Sequence, residues 1–289
     1  MNKLKFASDI RTVKDLLRLS TADLAKQIQV GSASVERWLA HKSPPRRDSL
    51  ESFYSFAYAQ GIRLNGIKSQ LRIEELTQQN RIPLFHGSKC GLDGPPALGR
   101  CRSGNDFGKG FYCGESFDQS ASFVAASDRG IAYVLGFDPT GLVSKTYSVN
   151  NEWMLAVALF RGRLTGYKDH PVIRQIGEEV RKCDYIVAPI ADNRMYEVIN
   201  AFIDGDETDV ICEHSLAATN LGRQYVLLSD QAFDKLEVLE SCYLCKAERR
   251  DLLQRSAEAS AQGLDKAKVA RRAYRGQGVY IEELLSWES

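Results

Sequence analysis

Long apolar runs are the first thing this 289-residue sequence lacks. No stretch of 18 apolar residues occurs, so no helix crossing a membrane is expected. The opening segment, MNKLKFASDIRTVKDLL, has no apolar core of the kind a secretion signal needs; it reads as the start of a helix, and a cytoplasmic location is expected. An excess of one charge is missing too. The formal net charge is +1, which leaves no bulk positive field for nucleic acid, so any DNA contact must come from a local patch. Cysteines number seven, an odd count with irregular spacing, and reduced thiols are expected rather than a disulfide framework. Cys242 and Cys245 have metal-ligand spacing, but no second pair stands at a suitable distance, and no metal is expected. Internal repeats, low-complexity segments and a G-x-G-x-x-G dinucleotide fingerprint are also absent.

What is present is the composition of a globular protein, 44% hydrophobic and 26% charged, at a length that allows two domains. Residues 9–19 place Ile10, Val13, Leu16 and Leu17 at helical spacing. Ser20 reads as an N-cap, with Asp23 at the position that completes a capping box. TADLAKQI is a second helix burying Leu24, Ala25 and Ile28. After the turn QVGS, SASVERWLAHK is a third, burying Val35, Trp38 and Leu39. Pro44 and Pro45 forbid continuation, and LESFYSFAYAQGI is a fourth helix with an aromatic face. Residues 63–80 read as a helical connector, or, through Leu71, Ile73 and Leu76, equally as the first element of the second domain.

The texture changes at residue 81. RIPLFHGSKC, FGKGFYC, GIAYVLGFDP, LVSKTYS, DYIVAPIAD and RQYVLLS read as strands. GESFDQSASFVAASD, NEWMLAVALFRGR and RMYEVINAFIDG read as helices, and QAFDKLEVLES as a short helix or a helix–strand junction. The tail is charged helix, expected to pack through Leu252, Leu253, Leu284 and Leu285, with Arg271, Arg272 and Arg275 on a solvated face. Cys113 reads as a packed core thiol, with a reactive thiol as the alternative.

The segment LSTADLAKQIQVGSASVERWLAHKSPP resembles the phage-repressor (Xre-like) helix-turn-helix, over about residues 8–62. The resemblance implies that the second helix braces on phosphates while the third enters the major groove. Ser32, Ser34, Glu36 and Arg37 would then face base edges, and Thr21, Lys42, Arg46 and Arg47 would approach phosphates. Gly31-Ser32-Ala33 departs from that pattern by lacking long polar side chains. The alternative is a small helical bundle for dimerisation or partner docking.

Three further segments, His86-Gly87-Ser88, Phe107-Gly108-Lys109-Gly110-Phe111-Tyr112 and Ser120-Ala121-Ser122-Phe123, stand in the order and spacing of another signature. Together they resemble ADP-ribosyltransferases of the diphtheria-toxin and poly(ADP-ribose) polymerase branch. That resemblance implies NAD as substrate, bound in a split between two small sheets. Tyr112 and Phe123 would sandwich the nicotinamide. Gly87 and Ser120 would meet its carboxamide, His86 would reach the adenosine ribose, and Gly110 with Gly108 would permit the turn that delivers Tyr112. Ser88 completes the histidine segment. The late-strand glutamate of that family aligns with Gln224. An amide can bond the ribose 2′-hydroxyl but brings no negative charge, a loss of about 3–4 kcal/mol in the transition state. Glu213 and Glu115 are candidate replacements that spacing does not favour, and Gln224 as a plain strand residue is the remaining alternative.

WMLAVALFRGR, CDYIVAPIADNRMYEVINAFIDG and RQYVLLSDQAFDKLEVLES resemble a little-characterised bacterial transferase-like group that carries glutamine at this position. Here Asp184-Tyr185-Ile186 and Asp192-Asn193 replace acidic positions of that group, and Asp192 is read as structural, with substrate contact as the alternative.

The expectation is an α+β protein. An all-α helix-turn-helix bundle (residues 1–66) and a helical connector (67–80) precede a split two-sheet ADP-ribosyltransferase core (81–242) and a helical extension (243–289). His86, Tyr112 and Gln224 are the expected catalytic residues. NAD, DNA and an unidentified macromolecular acceptor are the expected partners, with an antitoxin where the chain is a toxin of a toxin–antitoxin or phage-defence locus. The alternative is a catalytically weak or inactive regulator that senses NAD or ADP-ribose.

Overall fold

The computed structural model of the protein describes residues 3–191, 193–219 and 222–286. Its architecture is α+β: an N-terminal five-helix region, a mixed sheet with flanking helices, and a long C-terminal helix. The strands are β1 (Ile82–Ser88), β2 (Phe111–Gly114), β3 (Ile131–Phe137), β4 (Ser144–Thr146), β5 (Tyr185–Pro189), β6 (Arg223–Leu227) and β7 (Leu236–Tyr243). They form a seven-stranded sheet in the order β4-β5-β6-β2-β1-β3-β7. The β4–β5 pair is parallel, while β1–β3, β2–β6 and β5–β6 are antiparallel.

The chain forms two compact units, each assembled from separated segments. The first takes residues 1–95, 116–138 and 237–256; the second takes 96–115, 139–236 and 257–289. Strands β1 and β3 and nearly all of β7 belong to the first, and β2, β4, β5 and β6 to the second.

The first unit opens with α1 (Phe6–Leu17), α2 (Thr21–Gln27), α3 (Ser32–Leu39), α4 (Arg47–Ala59) and α5 (Leu64–Gln78). The capping box at Ser20 and Asp23 forms as the sequence implies, each side chain taking the other's backbone N–H. Ile10, Val13, Leu24, Val35 and Phe53 are fully buried where these helices meet. Phe6 makes edge-on contacts with Trp38 and Phe53, at 5.4 and 5.1 Å between ring centroids.

These helices are tied to β7 and to the start of α12 (Lys246–Ala273). Glu51 accepts from the backbone N–H of Lys246 at 2.9 Å and from the Tyr243 hydroxyl at 3.0 Å. The Tyr58 hydroxyl donates to Asp251 at 2.8 Å, and Asn65 donates to the Tyr243 carbonyl and to Glu248. Lys68 lies between Asp9 and Glu240, at 3.0 and 2.7 Å. Tyr54 also donates to Asp9. Burial raises the Asp9 carboxyl above the usual carboxylate range, opposed by Lys68 and Tyr54.

The second unit is built around α7 (Asn151–Phe160), whose residues from Trp153 to Ala158 are all buried. A helix apolar on every side belongs in a core, and Asn150 caps it by accepting from the Trp153 N–H at 2.9 Å. Around it lie α8 (Pro171–Arg181), α9 (Asn193–Ile203), α10 (Asp209–Ala217), α11 (Asp230–Asp234), the later turns of α12 and α13 (Ile281–Leu284). The expected tail contacts hold at Leu252 and Leu285, both 2% exposed, and in part at Leu284. Leu253 instead faces solvent, because one residue along a helix turns the side chain about 100° away from Leu252.

Candidate active site

In the first unit, β1 carries His86, Gly87 and Ser88, and the neighbouring α6 (Phe117–Ala125) carries Ser120 and Phe123. The β1–β3 register sets His86 opposite Tyr133 and Gly87 opposite Ala132. Gly87 and Ser120 come together closely. A Cβ on Gly87 would lie 2.3 Å from the Ser120 carbonyl oxygen and 3.0 Å from a Val124 methyl. Glycine therefore lets the helix backbone press onto the strand. Ser120 is buried, and its hydroxyl donates to the Phe85 carbonyl at 3.1 Å. Ser88 donates to the Gly91 carbonyl at 2.8 Å and closes the turn after the strand. Phe123 is 58% exposed and presents its ring to solvent.

In the second unit, the turn from Asp106 to Gly110 leads into β2. Gly108 has φ +73°, a left-handed conformation that favours glycine, and the Phe160 ring packs beneath it. Tyr112, half-buried, pins that turn: its hydroxyl accepts from the Phe107 N–H and donates to the Gly108 carbonyl, both at 3.0 Å. Burial pushes the Tyr112 phenol well above its ordinary range. Gly110 is buried immediately before the strand. Antiparallel pairing of β2 with β6 sets Tyr112 opposite Val226 and Gly114 opposite Gln224.

Gln224 is buried. Its Nε2 donates to Asp106 Oδ2 at 2.7 Å and to the Pro189 carbonyl at 3.0 Å. Asp106 is itself only 4% exposed and is ringed by donors. Arg161 Nε reaches Oδ1 at 2.9 Å, with Nη2 on the same oxygen, and the Ala191 N–H reaches Oδ2 at 3.3 Å. Arg161 also donates to the Ala191 carbonyl and lies over the Tyr196 ring, 3.9 Å from its centroid. Charge and hydrogen bonds are thus both compensated around a buried carboxylate.

Asp106 and Arg161 were not among the residues expected at the site. Both stand in segments the sequence marks, DFGKGFY and LFRGR, yet their link spans 55 positions and the one to Gln224 spans 118. Of the carboxylates weighed as stand-ins for a glutamate at 224, Glu115 is exposed and Glu213 is half-buried on α10; the Gln224 amide bonds instead to Asp106 and Pro189. Asp192 lies outside the described residues.

The expected DNA-contacting residues gather on α2 and α3. Ser32, Glu36 and Arg37 are exposed, Thr21 and Ser34 half-buried. Arg37 donates to the Ser34 hydroxyl at 3.1 Å, and Lys14 to the Thr21 hydroxyl at 2.7 Å. Lys42 and Arg46 are exposed, whereas Arg47 donates to the Asp128 carbonyl. Cys113 is a buried thiol with its pKa raised by burial, and Cys242 is pushed up to about 12 for the same reason. Among the described residues, no helix is long and apolar enough to cross a membrane. A cleft of about 230 Å³ in the second unit is lined by Asn151, Glu152, Gln175 and Leu285, and by none of the expected site residues.

Residues 82–238 match the family model described as Protein of unknown function (DUF3990). The chain belongs to the DUF3990 family. The DUF3990 segment covers more than half of the sequence, from β1 into β7, and carries every residue expected to meet NAD. The five N-terminal helices precede the DUF3990 segment and all of α12 follows it. No curated protein and no solved structure matches the chain.

Proposed function

We propose that the protein is a mono-ADP-ribosyltransferase of the diphtheria-toxin and poly(ADP-ribose) polymerase type, with an N-terminal helix-turn-helix that binds DNA. The observation that carries the reading is the pairing of β2 with β6. Residues more than a hundred positions apart, which the signature assigns to one site, lie on adjacent strands, with Gly114 opposite Gln224. The packing of Ser120 against Gly87 gives the histidine segment and the helix segment the same support.

NAD supplies the transferred group: its nicotinamide–C1′ bond breaks, nicotinamide leaves with the bonding pair, and an acceptor lone pair forms the new bond as the acceptor proton passes to water. His86 holds the adenosine ribose hydroxyls. Tyr112 and Phe123 give ring faces to nicotinamide, and the exposure of Phe123 fits that use. The space at Gly87 is taken by α6, so this glycine serves NAD only through its backbone groups. Gln224 accepts from the ribose 2′-hydroxyl. Being neutral, it leaves the charge that develops on the sugar without the usual carboxylate, and turnover is slow.

The neutral, buried Gln224 favours a second reading, a regulator that binds NAD or ADP-ribose without consuming it. Incubation with labelled NAD decides between them. Free nicotinamide, or label on protein or nucleic acid, supports transfer; tight binding without turnover supports sensing; absence of both, with a folded chain, removes NAD from the account. On the DNA side, the capping box before α2 and the exposed front of α3 support groove binding. Arg37→Ala should weaken retention on the chain's own promoter, and unchanged retention sinks that half of the reading. A toxin–antitoxin or phage-defence locus, with an antitoxin as partner, is the context proposed.

A further inference from the structure

The cluster around Gln224 contains more than the family signature requires. A primary amide has two N–H donors and one carbonyl acceptor. Both groups that Gln224 Nε2 meets, Asp106 Oδ2 at 2.7 Å and the Pro189 carbonyl at 3.0 Å, can only accept. The amide therefore cannot be turned over: the reverse orientation would set Oε1 against two oxygens. A glutamate at this position would do the same, with a second negative charge beside a buried first one. Asp106 in turn is held in place by Arg161 and the Ala191 N–H.

We propose that Asp106 is a positioning residue, which takes one amide hydrogen of Gln224 while the Pro189 carbonyl takes the other, and so presents Oε1 as a fixed acceptor for the 2′-hydroxyl of the nicotinamide ribose. This deepens the NAD reading and rests on it. It also gives the glutamine a physical cause. The negative charge has moved from residue 224 to residue 106, where Arg161 neutralises it, and the strand residue keeps only the hydrogen-bonding part of the task.

The test pairs a binding measurement with a probe of the amide itself. In full-length chain labelled with ¹⁵N-glutamine, the side-chain signals of Gln224, assigned by their loss in Gln224→Met, should exchange slowly with solvent. In Asp106→Asn they should exchange fast. By calorimetry the native chain should bind NAD about tenfold more tightly than the analogue lacking the 2′-hydroxyl of the nicotinamide ribose, the worth of roughly one hydrogen bond. Asp106→Asn and Gln224→Met should both bind the two ligands equally. A purely structural role for Asp106 would weaken both ligands together and leave their ratio intact.

A freely exchanging Gln224 amide in the native chain overturns the proposal, as does a ratio that survives Asp106→Asn. Native chain that binds NAD without preference overturns the proposal and leaves NAD binding standing. Native chain with a protected amide that binds neither ligand overturns both. Should Asp106→Asn not fold, the native amide signals, the native ratio and Gln224→Met still decide.

Discussion

Gln224 donates a 2.7 Å hydrogen bond to Asp106, a carboxylate 118 positions earlier in the chain, and both side chains are buried. The late strand alone offers a glutamine where the resemblance implies a glutamate. The pair sets a buried carboxylate beside a buried amide whose Nε2 faces two acceptors.

A glutamate at position 224 should therefore harm the protein. Gln224→Glu brings a second carboxylate against Asp106 and the Pro189 carbonyl. The introduced group should have a raised pKa in the folded state, so its folded form tolerates acid and resists ionisation. The sign is that stability is retained at low pH and lost as pH rises through the folded pKa. Melting at about pH 8 should cost roughly 2–4 kcal/mol relative to the native chain, and most of that should return by about pH 5. A pH-independent difference would contradict the arrangement.

Tyr112 has a ring and a hydroxyl with separable tasks. Tyr112→Phe removes the bonds to Phe107 and Gly108 and should cost about 1–2 kcal/mol by urea denaturation. It should keep the thermal shift produced by saturating NAD, which Tyr112→Ala should abolish. Equal shifts in both variants would remove the ring from the NAD contact.

At Gly87, even a methyl group meets the Ser120 carbonyl at 2.3 Å. Gly87→Ala should lower stability by about 1–3 kcal/mol without any ligand present, since the obstacle is backbone. A melt unchanged within error would mean that α6 does not press on β1 as described.

Glu248 on α12 is buried, with Asn65 donating to it at 2.8 Å. Burial, opposed by that bond and by Lys68 and Arg63 and reinforced by Asp118, raises its pKa to about 7. A carboxyl raised on folding favours the folded state below its unfolded value, and the benefit disappears as pH climbs through about 7. Glu248→Gln should flatten this part of the stability profile between about pH 4.5 and 7 and stabilise the chain by up to about 3 kcal/mol at about pH 8. Chemical denaturation at stepped pH measures it.

Much of the fold was readable because its signals are local. The Ser20–Asp23 capping box lies within one turn, and the apolar run of NEWMLAVALF can only be a core element. Two helices received no element in the sequence reading. Helix α8 had the signal, with Pro171 in its first turn and Ile173, Ile176 and Val180 on one face. Helix α10, DVICEHSLA, has no clear apolar stripe, and its start is fixed from afar, by Asp209 accepting from the Val279 N–H. The same holds for the site. His86-Gly87-Ser88 and the Tyr112 strand are legible as short motifs, whereas Asp106 and Arg161 acquire meaning only once three distant segments have met.

The first unit closes late in synthesis. Its opening 95 residues bond to Tyr243, Lys246, Glu248 and Asp251, which leave the ribosome only after the whole DUF3990 segment has been made. A nascent or prematurely terminated chain thus holds the five N-terminal helices without their support. The helices proposed to meet DNA reach their finished form only in molecules that have also completed the segment proposed to bind NAD.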